Sequence, residues 1–598
     1  MGNYRNFKLV TYFVAHAAAR VTREELEKQL AFIQRHLRLD KVYLEPWRGE
    51  LASHEPIEMC REVFHSHGVE VAGGLTTIIP TPEGAKPKQR LFDTFCYNDP
   101  AMRAKLKEVS AFIGGHFDEF IIDDFFFTNC ACADCVRERD AFNRAHGIAD
   151  GSWQAYRLDL LRRVSEEDII GPAKAANPNC RITIKYPNWA ESYQETGYNP
   201  GKQKDIFDAI YTGTESRRSN YNGQHLQRYM SYSLLRLMEN IAPGRNGGGW
   251  IDLGGASGNL NISLEQANCT LFAGAKELMM FNFASMIHHP ALGALGVELR
   301  RVDALLGRVG KPTGVSTYEP YDSDGEDQLI NYVGMCGIPL EPVPWFDDRA
   351  PVVFLTQNSA YDGEIIPKLE KYVREGGVAV VTSGFVRATL ARGITDLTSV
   401  RPTDRKVTGT RYQLTNYHVS TQDVHVSDEP ATFTVMNHKN NATWYEVLLH
   451  VNDFSTAVMT EDYYGKGVLY ILNIPDNFGD LYRLPGEVIG AIAKNFARRG
   501  KVYLTASPKC MLFLYDDDAF GVYNLNEFKR PLRLTVLGEE YAGFEDIETG
   551  ERWTEPARVN PRPARWGDNA SFRDEPLEKV YDLPVQPGDY RFFRLLRK

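Results

Sequence analysis

A chain of 598 residues cannot close around one hydrophobic core, so roughly two to four domains are expected, the first with room for a barrel of about 250 residues. Apolar residues at 43% and charged residues at 24% are the proportions of an ordinary globular protein. A formal net charge of -10 argues against nucleic acid or an anionic membrane surface as a partner.

The opening stretch, Lys8 to Val14, is too short and polar for a secretion signal and too short to span a bilayer; it reads as a first strand. Of the 9 cysteines, Cys60, Cys96, Cys180, Cys269, Cys336 and Cys510 are scattered singly, the pattern of a reduced compartment rather than a disulfide framework. A cytoplasmic protein is expected.

Short apolar runs then alternate with amphipathic ones. The strands predicted in the first half are Leu9–Val14, Lys41–Leu44, Val69–Leu75, Phe120–Ile122, Arg181–Lys185, Ala209–Tyr211, Gly249–Asp252 and Leu278–Phe283, with helices such as Glu24–His36, Pro56–His67, Ala101–Gly114, Trp153–Ala176, His225–Ile241 and Leu264–Gly274 between them. Eight strand–helix units in about 300 residues is the count of a (β/α)8 TIM barrel, and no glycine-rich dinucleotide fingerprint follows the first strand. No organic cofactor is expected.

Barrel active sites sit at the carboxyl ends of the strands, which makes the strand-terminal polar residues the candidates. They are Glu45, Trp47 and Arg48 after strand two, Thr76 and Thr77 after three, Asp123 and Asp124 after four, and Tyr186, Asn188 and Trp189 after five. Strand six contributes Thr212, Thr214, Glu215 and Arg217, strand seven Asp252, and strand eight Asn282 with His288 and His289.

Beyond the barrel, Thr313–Tyr318, Pro351–Thr356, Val378–Thr382 and Lys466–Asn473 read as strands of a second α/β layer, flavodoxin-like or amidotransferase-like, with helices Gln328–Met335 and Ile365–Glu375. It lacks a cysteine or serine nucleophile at a strand–helix elbow, so a structural or oligomer-forming role is expected. Met511–Tyr515, Gly521–Asn526, Leu532–Leu537, Gly543–Asp546 and Asp589–Leu595 read as a small antiparallel β-sandwich. The domain boundaries so drawn are 1–303, 304–503 and 504–598.

Directly after the two aspartates comes Cys130-x-Cys132-x-x-Cys135, and structural zinc is almost always four-coordinate. Cys96, in the loop after strand three and next to the loop after strand four in a barrel, is the candidate fourth ligand. In these features the sequence resembles glycoside hydrolase family 42, the β-galactosidases. Cys96-Tyr97-Asn98-Asp99-Pro100-Ala101-Met102-Arg103 is similar to a Cys-x-Asn-x-Pro-x-x-Arg-like segment of that family, and its three-cysteine loop matches Cys130, Cys132 and Cys135. Ala141–Gly147 and Leu264–Ala267 also resemble family segments.

The resemblance implies a barrel, an amidotransferase-like trimerisation domain and a small β domain, with a structural zinc on the four cysteines and a homotrimeric assembly. The departures fall on the chemistry. The family's acid/base glutamate follows an asparagine at the end of strand four, where this chain has Asp123-Asp124, and its nucleophilic glutamate ends strand seven, where this chain has Asp252.

Glycoside hydrolysis needs two carboxyl groups flanking the scissile bond. Position against the family's Asn-Glu pair makes Asp124 the acid/base and Asp123 a sugar-contacting neighbour. Two candidates stand for the second carboxylate. Asp252 holds the family's position among Gly247, Gly248, Gly249, Gly254 and Gly255; Glu215 lies beside Arg217, which would keep it ionised, and pairs with strand four as in other barrel glycosidases acting on α-linked sugars. Glu45, Trp47, Arg48, Asn188, Trp189, Arg217, Trp250 and Asn282 are the expected substrate-binding residues, the tryptophans as stacking platforms.

An exo-acting glycoside hydrolase taking oligosaccharides is the expected function. Two rivals share the scaffold: a catalytically inactive carbohydrate-binding protein, since aspartate is shorter than the family's glutamates, and a uronate lyase or epimerase using Arg48, Arg217 and Arg218 on a carboxylate.

Overall fold

The computed structural model describes residues 4–51, 54–78, 96–217, 226–253, 260–321, 323–415, 423–560 and 576–598. Arg218, His225, Gly254 and Gly255 lie outside the described residues. The chain forms two compact units, Met1–Gly307 and Arg308–Lys598.

The first unit is a closed barrel of eight parallel strands: β1 (Lys8–Phe13), β2 (Lys41–Leu44), β3 (Glu70–Leu75), β4 (Glu119–Ile122), β5 (Arg181–Tyr186), β6 (Ala209–Gly213), β7 (Asn246–Asp252) and β8 (Glu277–Phe281). The ring closes where β1 pairs in parallel with both β2 and β8. All eight predicted strands are present, with ends moved by up to three residues. Among the helices that wrap the ring are α1 (Arg23–His36), α2 (His54–Ser66) and α3 (Pro100–His116). Thr22 opens α1 with a capping box: its hydroxyl accepts from the Glu25 N–H, while the Glu25 carboxylate accepts from the Thr22 N–H.

Side chains alternate along a strand, so one parity of each strand fills the barrel. Tyr12, Tyr43, Ala72, Ile121, Tyr211 and Trp250 belong to that interior cluster. Two residues further along β2, β4 and β7 the same parity gives Glu45, Asp123 and Asp252. On β5 the inward position is Lys185, whose ammonium lies 4.1 Å from the Trp250 ring centroid. The opposite end carries a second buried charge group: Lys41 donates to Tyr43 Oη at 2.8 Å, Glu119 at 2.9 Å and Glu277 at 3.3 Å.

The predicted helix Trp153–Ala176 is interrupted by a π-helical turn, Ser165–Ile170, between Gln154–Val164 and Gly171–Ala176. Pro172 has no N–H to give the Asp168 carbonyl four residues back, so the ladder widens there. Asp168 is fully buried and accepts from Arg103 Nε at 2.5 Å.

The second unit contains a nine-stranded sheet. Its parallel part comprises β9 (Val315–Tyr318), β10 (Leu340–Val343), β11 (Val352–Leu355), β12 (Val378–Thr382) and β17 (Gly467–Leu472). Inserted between β12 and β17 in sequence are β13 (Val400–Leu414), β14 (Asp423–His438), β15 (Thr443–Val451) and β16 (Phe454–Tyr464), which pair antiparallel on one side of β17. These four strands were not expected from the sequence. β13 carries Arg401, Asp404, Arg405 and Lys406 on partly or fully exposed positions, so the apolar alternation that marks a half-buried strand is missing. Antiparallel sheets of six and four strands complete the unit. Among the described residues, no helix is long and apolar enough to cross a membrane.

Gly74 of β3 lies against the Tyr12 ring: a Cβ there would sit 2.6 Å from the Tyr12 hydroxyl. Gly74→Ala is therefore expected to destabilise the protein by about 1–3 kcal/mol through overpacking, read as a lower midpoint in urea unfolding. An unchanged midpoint would mean that Tyr12 moves aside freely.

Candidate active site

The barrel mouth is organised by Lys185. Its ammonium donates to Glu215 Oε1 at 2.7 Å and Asp124 Oδ2 at 2.8 Å, and lies 3.6 Å from Asp123 Oδ1. The lysine side chain is 3% exposed. Burial opposes its charge, yet Asp124, Glu215 and Asp123 together outweigh that and raise its pKa above the ordinary lysine value.

Asp123 and Asp124 diverge as adjacent residues at a strand end must. Asp123 is buried; its Oδ1 accepts from the Asp124 N–H at 2.8 Å and its Oδ2 accepts from Thr76 Oγ1 at 3.4 Å. Asp124 is partly open, and its carbonyl accepts from Tyr198 Oη at 2.9 Å. Glu215 is buried, with its main-chain carbonyl accepting from Asn188 Nδ2 at 2.9 Å. A Cβ on Gly213 would lie 2.7 Å from Glu215 Oε2, so glycine there leaves room for the carboxylate.

The remaining candidates form two flanking groups. Glu45 accepts from Tyr12 Oη, the Ala15 N–H and Arg48 Nε at 3.1, 2.8 and 2.9 Å, while Arg48 Nη2 reaches Thr76 Oγ1 at 3.2 Å. This chain of bonds connects Glu45 to Asp123 through Thr76. On the other side, Asp252 accepts from Arg217 Nε at 3.1 Å, and Arg217 has a left-handed backbone with φ of 45°.

Five carboxyl groups (Glu45, Asp123, Asp124, Glu215 and Asp252) thus meet three cations (Arg48, Lys185 and Arg217) among the described residues. Burial, and then the excess of acids, explain the titration. Burial first, and then the charge of Asp124, push Asp123 up to about 7 against the pull of Lys185 and Arg48. Burial also raises Glu215, in spite of Lys185.

Other expected residues have different surroundings. Trp47 and Trp250 are 1% and 2% exposed, and Trp250 packs on Tyr12 and Phe281, so both serve as core rather than as open stacking faces. Trp189 keeps partial exposure and meets Phe127 edge-on. Asn282 accepts from the Ser285 N–H and caps a short helix. His289 Nε2 donates to the Leu253 carbonyl and its Nδ1 accepts from the Ala291 N–H, so neither nitrogen is free for a metal.

Lys185 and Tyr12 were missed by the sequence reading, which looked beyond strand ends rather than along inward positions. The signal was a lysine in the otherwise apolar run Ile182-Thr-Ile-Lys-Tyr186.

The cysteines gather as expected. Cys96, Cys130, Cys132 and Cys135 place their sulfurs within 4.8 Å of one another; Cys96 to Cys135, Cys132 to Cys135 and Cys96 to Cys132 are 3.6, 3.5 and 3.8 Å. Four thiolates about 2.3 Å from one tetrahedral zinc would be about 3.8 Å apart, so the donor set fits that ion. Cys132 is the N-cap of helix Ala133–His146 and Cys135 lies in its first turn. Trp153 packs on the cluster, flanked by Arg139 and Arg157 at 4.2 and 4.5 Å.

Residues 1–294 match a family model described as "Probable glycosyl hydrolase, catalytic domain", and residues 310–477 match the second domain of uncharacterized protein SSO3021. SSO3021 of Saccharolobus solfataricus is 26% identical over 402 residues, covering 62% of this chain; the match spans 65% of that relative's own length. Among solved structures, β-galactosidase from Bacillus circulans sp. alkalophilus superposes with a TM-score of 0.60 at 11% identity over 99% of each chain. Gan42B, a GH42 β-galactosidase from G. stearothermophilus, gives 0.59 at 12% identity over 100% of this chain and 99% of that one. The chain shares its fold with these family 42 β-galactosidases. α-L-Fucosidase isoenzyme 2 of Paenibacillus thiaminolyticus shares the fold at a TM-score of 0.62 and 9% identity, over 100% of both chains. Residues 1–294, within the first unit, are thus similar to glycosyl hydrolase catalytic domains.

Two outcomes are expected from the charge balance. Lys185→Met leaves buried carboxylates without their shared cation and should cost about 3–5 kcal/mol in urea unfolding. Folded Asp123 keeps its proton up to about pH 7, whereas an unfolded aspartate loses it near 3.9. Its contribution to stability is therefore complete below about pH 4 and lost as pH rises through about 7. Asp123→Asn, permanently neutral, should gain stability relative to the native chain as pH rises from about 4 to about 7 and hold that gain above it; a constant difference would refute the shift.

Proposed function

We propose that the protein is a glycoside hydrolase that removes terminal sugars from oligosaccharides, using Asp124 and Glu215 as the carboxyl pair. The observation that carries this reading is Lys185, which holds one oxygen of each acid. Those two oxygens are separated by no more than the two hydrogen bonds end to end, 2.8 and 2.7 Å. Such closeness supports a retaining mechanism, whose carboxyl groups stand about 5–5.5 Å apart, over an inverting one at about 6.5–9.5 Å.

In this mechanism Asp124, the more open of the two, protonates the leaving oxygen and then draws a proton from water. Glu215 attacks the anomeric carbon, its negative form favoured by Lys185 and Arg217. Asp123 and Arg48 contact sugar hydroxyls, with Glu45, Asn188, Trp189 and Asn282 around them. Asp252, tied to Arg217, supports the pair. This order reverses the weight that family position gave to Asp252.

The cysteine cluster takes a structural zinc, supported by the sulfur spacing. The ion would supply a rigid clip joining the loop after β3 to the loop after β4, beside Asp123 and Asp124, with no part in bond breaking. The division 1–303, 304–503 and 504–598, a cytoplasmic location and a homo-oligomer, trimeric by resemblance, belong to the same proposal. Exposed Trp345, Val426, Trp444 and Phe454 on the second unit support its role in assembly.

On a panel of aryl glycosides, Asp124→Asn and Glu215→Gln should each lower kcat/KM by about 10²–10⁴, with Asp252→Asn losing less than about tenfold. A severe Asp252 variant beside a mild Glu215 variant would move the partner to strand seven. Sugar binding by calorimetry without turnover would favour an inactive binding scaffold, and a product lacking the added water would favour a lyase. Metal analysis should find at least about one zinc per chain, lost in Cys132→Ser together with thermal stability.

A further inference from the structure

A second group of side chains able to bind a metal shares no residue with the candidate active site or the cysteine cluster. His54, Glu58 and His116 each offer a ligand atom, and the three atoms lie within 4.8 Å of one another. His54 is the first residue of α2 and Glu58 is four residues on, one turn along the same face. His116 is the last residue of α3.

The His116 ring is already fixed as a metal ligand's would be. Its Nδ1–H donates to the Phe112 carbonyl at 2.7 Å, and the ring stacks on Phe112 with centroids 4.0 Å apart. That bond assigns the proton to Nδ1 and leaves the Nε2 lone pair pointing outward, the arrangement in which an outer-shell carbonyl orients a ligating imidazole. Nε2 faces His54 Nδ1 at 3.0 Å. Two imidazole nitrogens about 2.0–2.1 Å from one tetrahedral zinc stand about 3.3 Å apart, so the rings need to part by only a few tenths of an ångström.

Glu58 completes the set. Its Oε1 accepts from Arg61 Nη1 at 2.8 Å. A carboxylate has two oxygens, so Oε2 can bind an ion while the arginine keeps its partner. The donor set, two imidazoles and one carboxylate, suits a borderline divalent ion and leaves a fourth position for water.

We propose that His54, Glu58 and His116 form a second zinc site, which fastens the start of α2 to the end of α3. On binding, the His54 proton moves from Nδ1 to Nε2 within the same ring, so no proton is released when both imidazoles start neutral.

The test is calorimetric titration of Zn2+ into the full-length protein at pH 7.5, after its resident zinc has been measured. The native chain should take one further equivalent, with a raised thermal midpoint. His54→Ala, at an exposed position, and His116→Ala should each weaken that binding at least about tenfold. Cys132→Ser should lower resident zinc and leave the added equivalent in place. The proposal is overturned if the native chain takes no further zinc, if His54→Ala titrates as the native chain does, or if the added equivalent disappears only with Cys132→Ser.

Discussion

The mouth of the barrel depends on one buried cation. Lys185 arrives from an inward position of β5 and finds Asp124 and Glu215 at hydrogen-bond distance, with Asp123 just beyond. Without that ammonium, the negative charges of Asp124 and Glu215 would face one another uncompensated in a medium where unit charges interact more strongly than in water. With it, two acids from strands four and six are held on one centre. The cost of burying the lysine is met by several partners at once, which a single ion pair seldom achieves.

The surrounding residues extend that constraint. Thr76 and Arg48 carry the network from Asp123 to Glu45, and Arg217 turns its left-handed backbone to reach Asp252. Acids outnumber bases five to three, and Asp123, buried and beside Asp124, retains a proton up to about 7. The other end of the barrel uses the same device, one lysine between Glu119 and Glu277, without an open mouth beside it.

The cysteine cluster and the acids belong to one stretch of chain but answer to different physics. Sulfur ligands need tetrahedral spacing and little else, so a Cys-x-Cys-x-x-Cys loop with Cys96 nearby carries its structural meaning in the sequence. The aspartates carry theirs only through what stands opposite. The long strand β13 shows the same contrast: its run of charged, exposed positions hides it from a search for alternation, and only pairing across the sheet makes it a strand.

By itself the sequence determined the eight-strand count, the cysteine set, the position of Asp123 and Asp124 at a strand end, and the likeness to family 42. The strand count, the Cys130–Cys135 run and the aspartate pair are matters of period or of spacing within a few residues, which local chemistry dictates; Cys96 came from the order of barrel loops, and family 42 from resemblance. It did not single out Lys185, whose meaning lies in being buried, nor decide between Asp252 and Glu215. Closing the barrel brought residues 61 and 30 positions distant to one ammonium. That convergence is a property of the closed ring, where strand order and inward parity, rather than nearness along the chain, decide which charges meet.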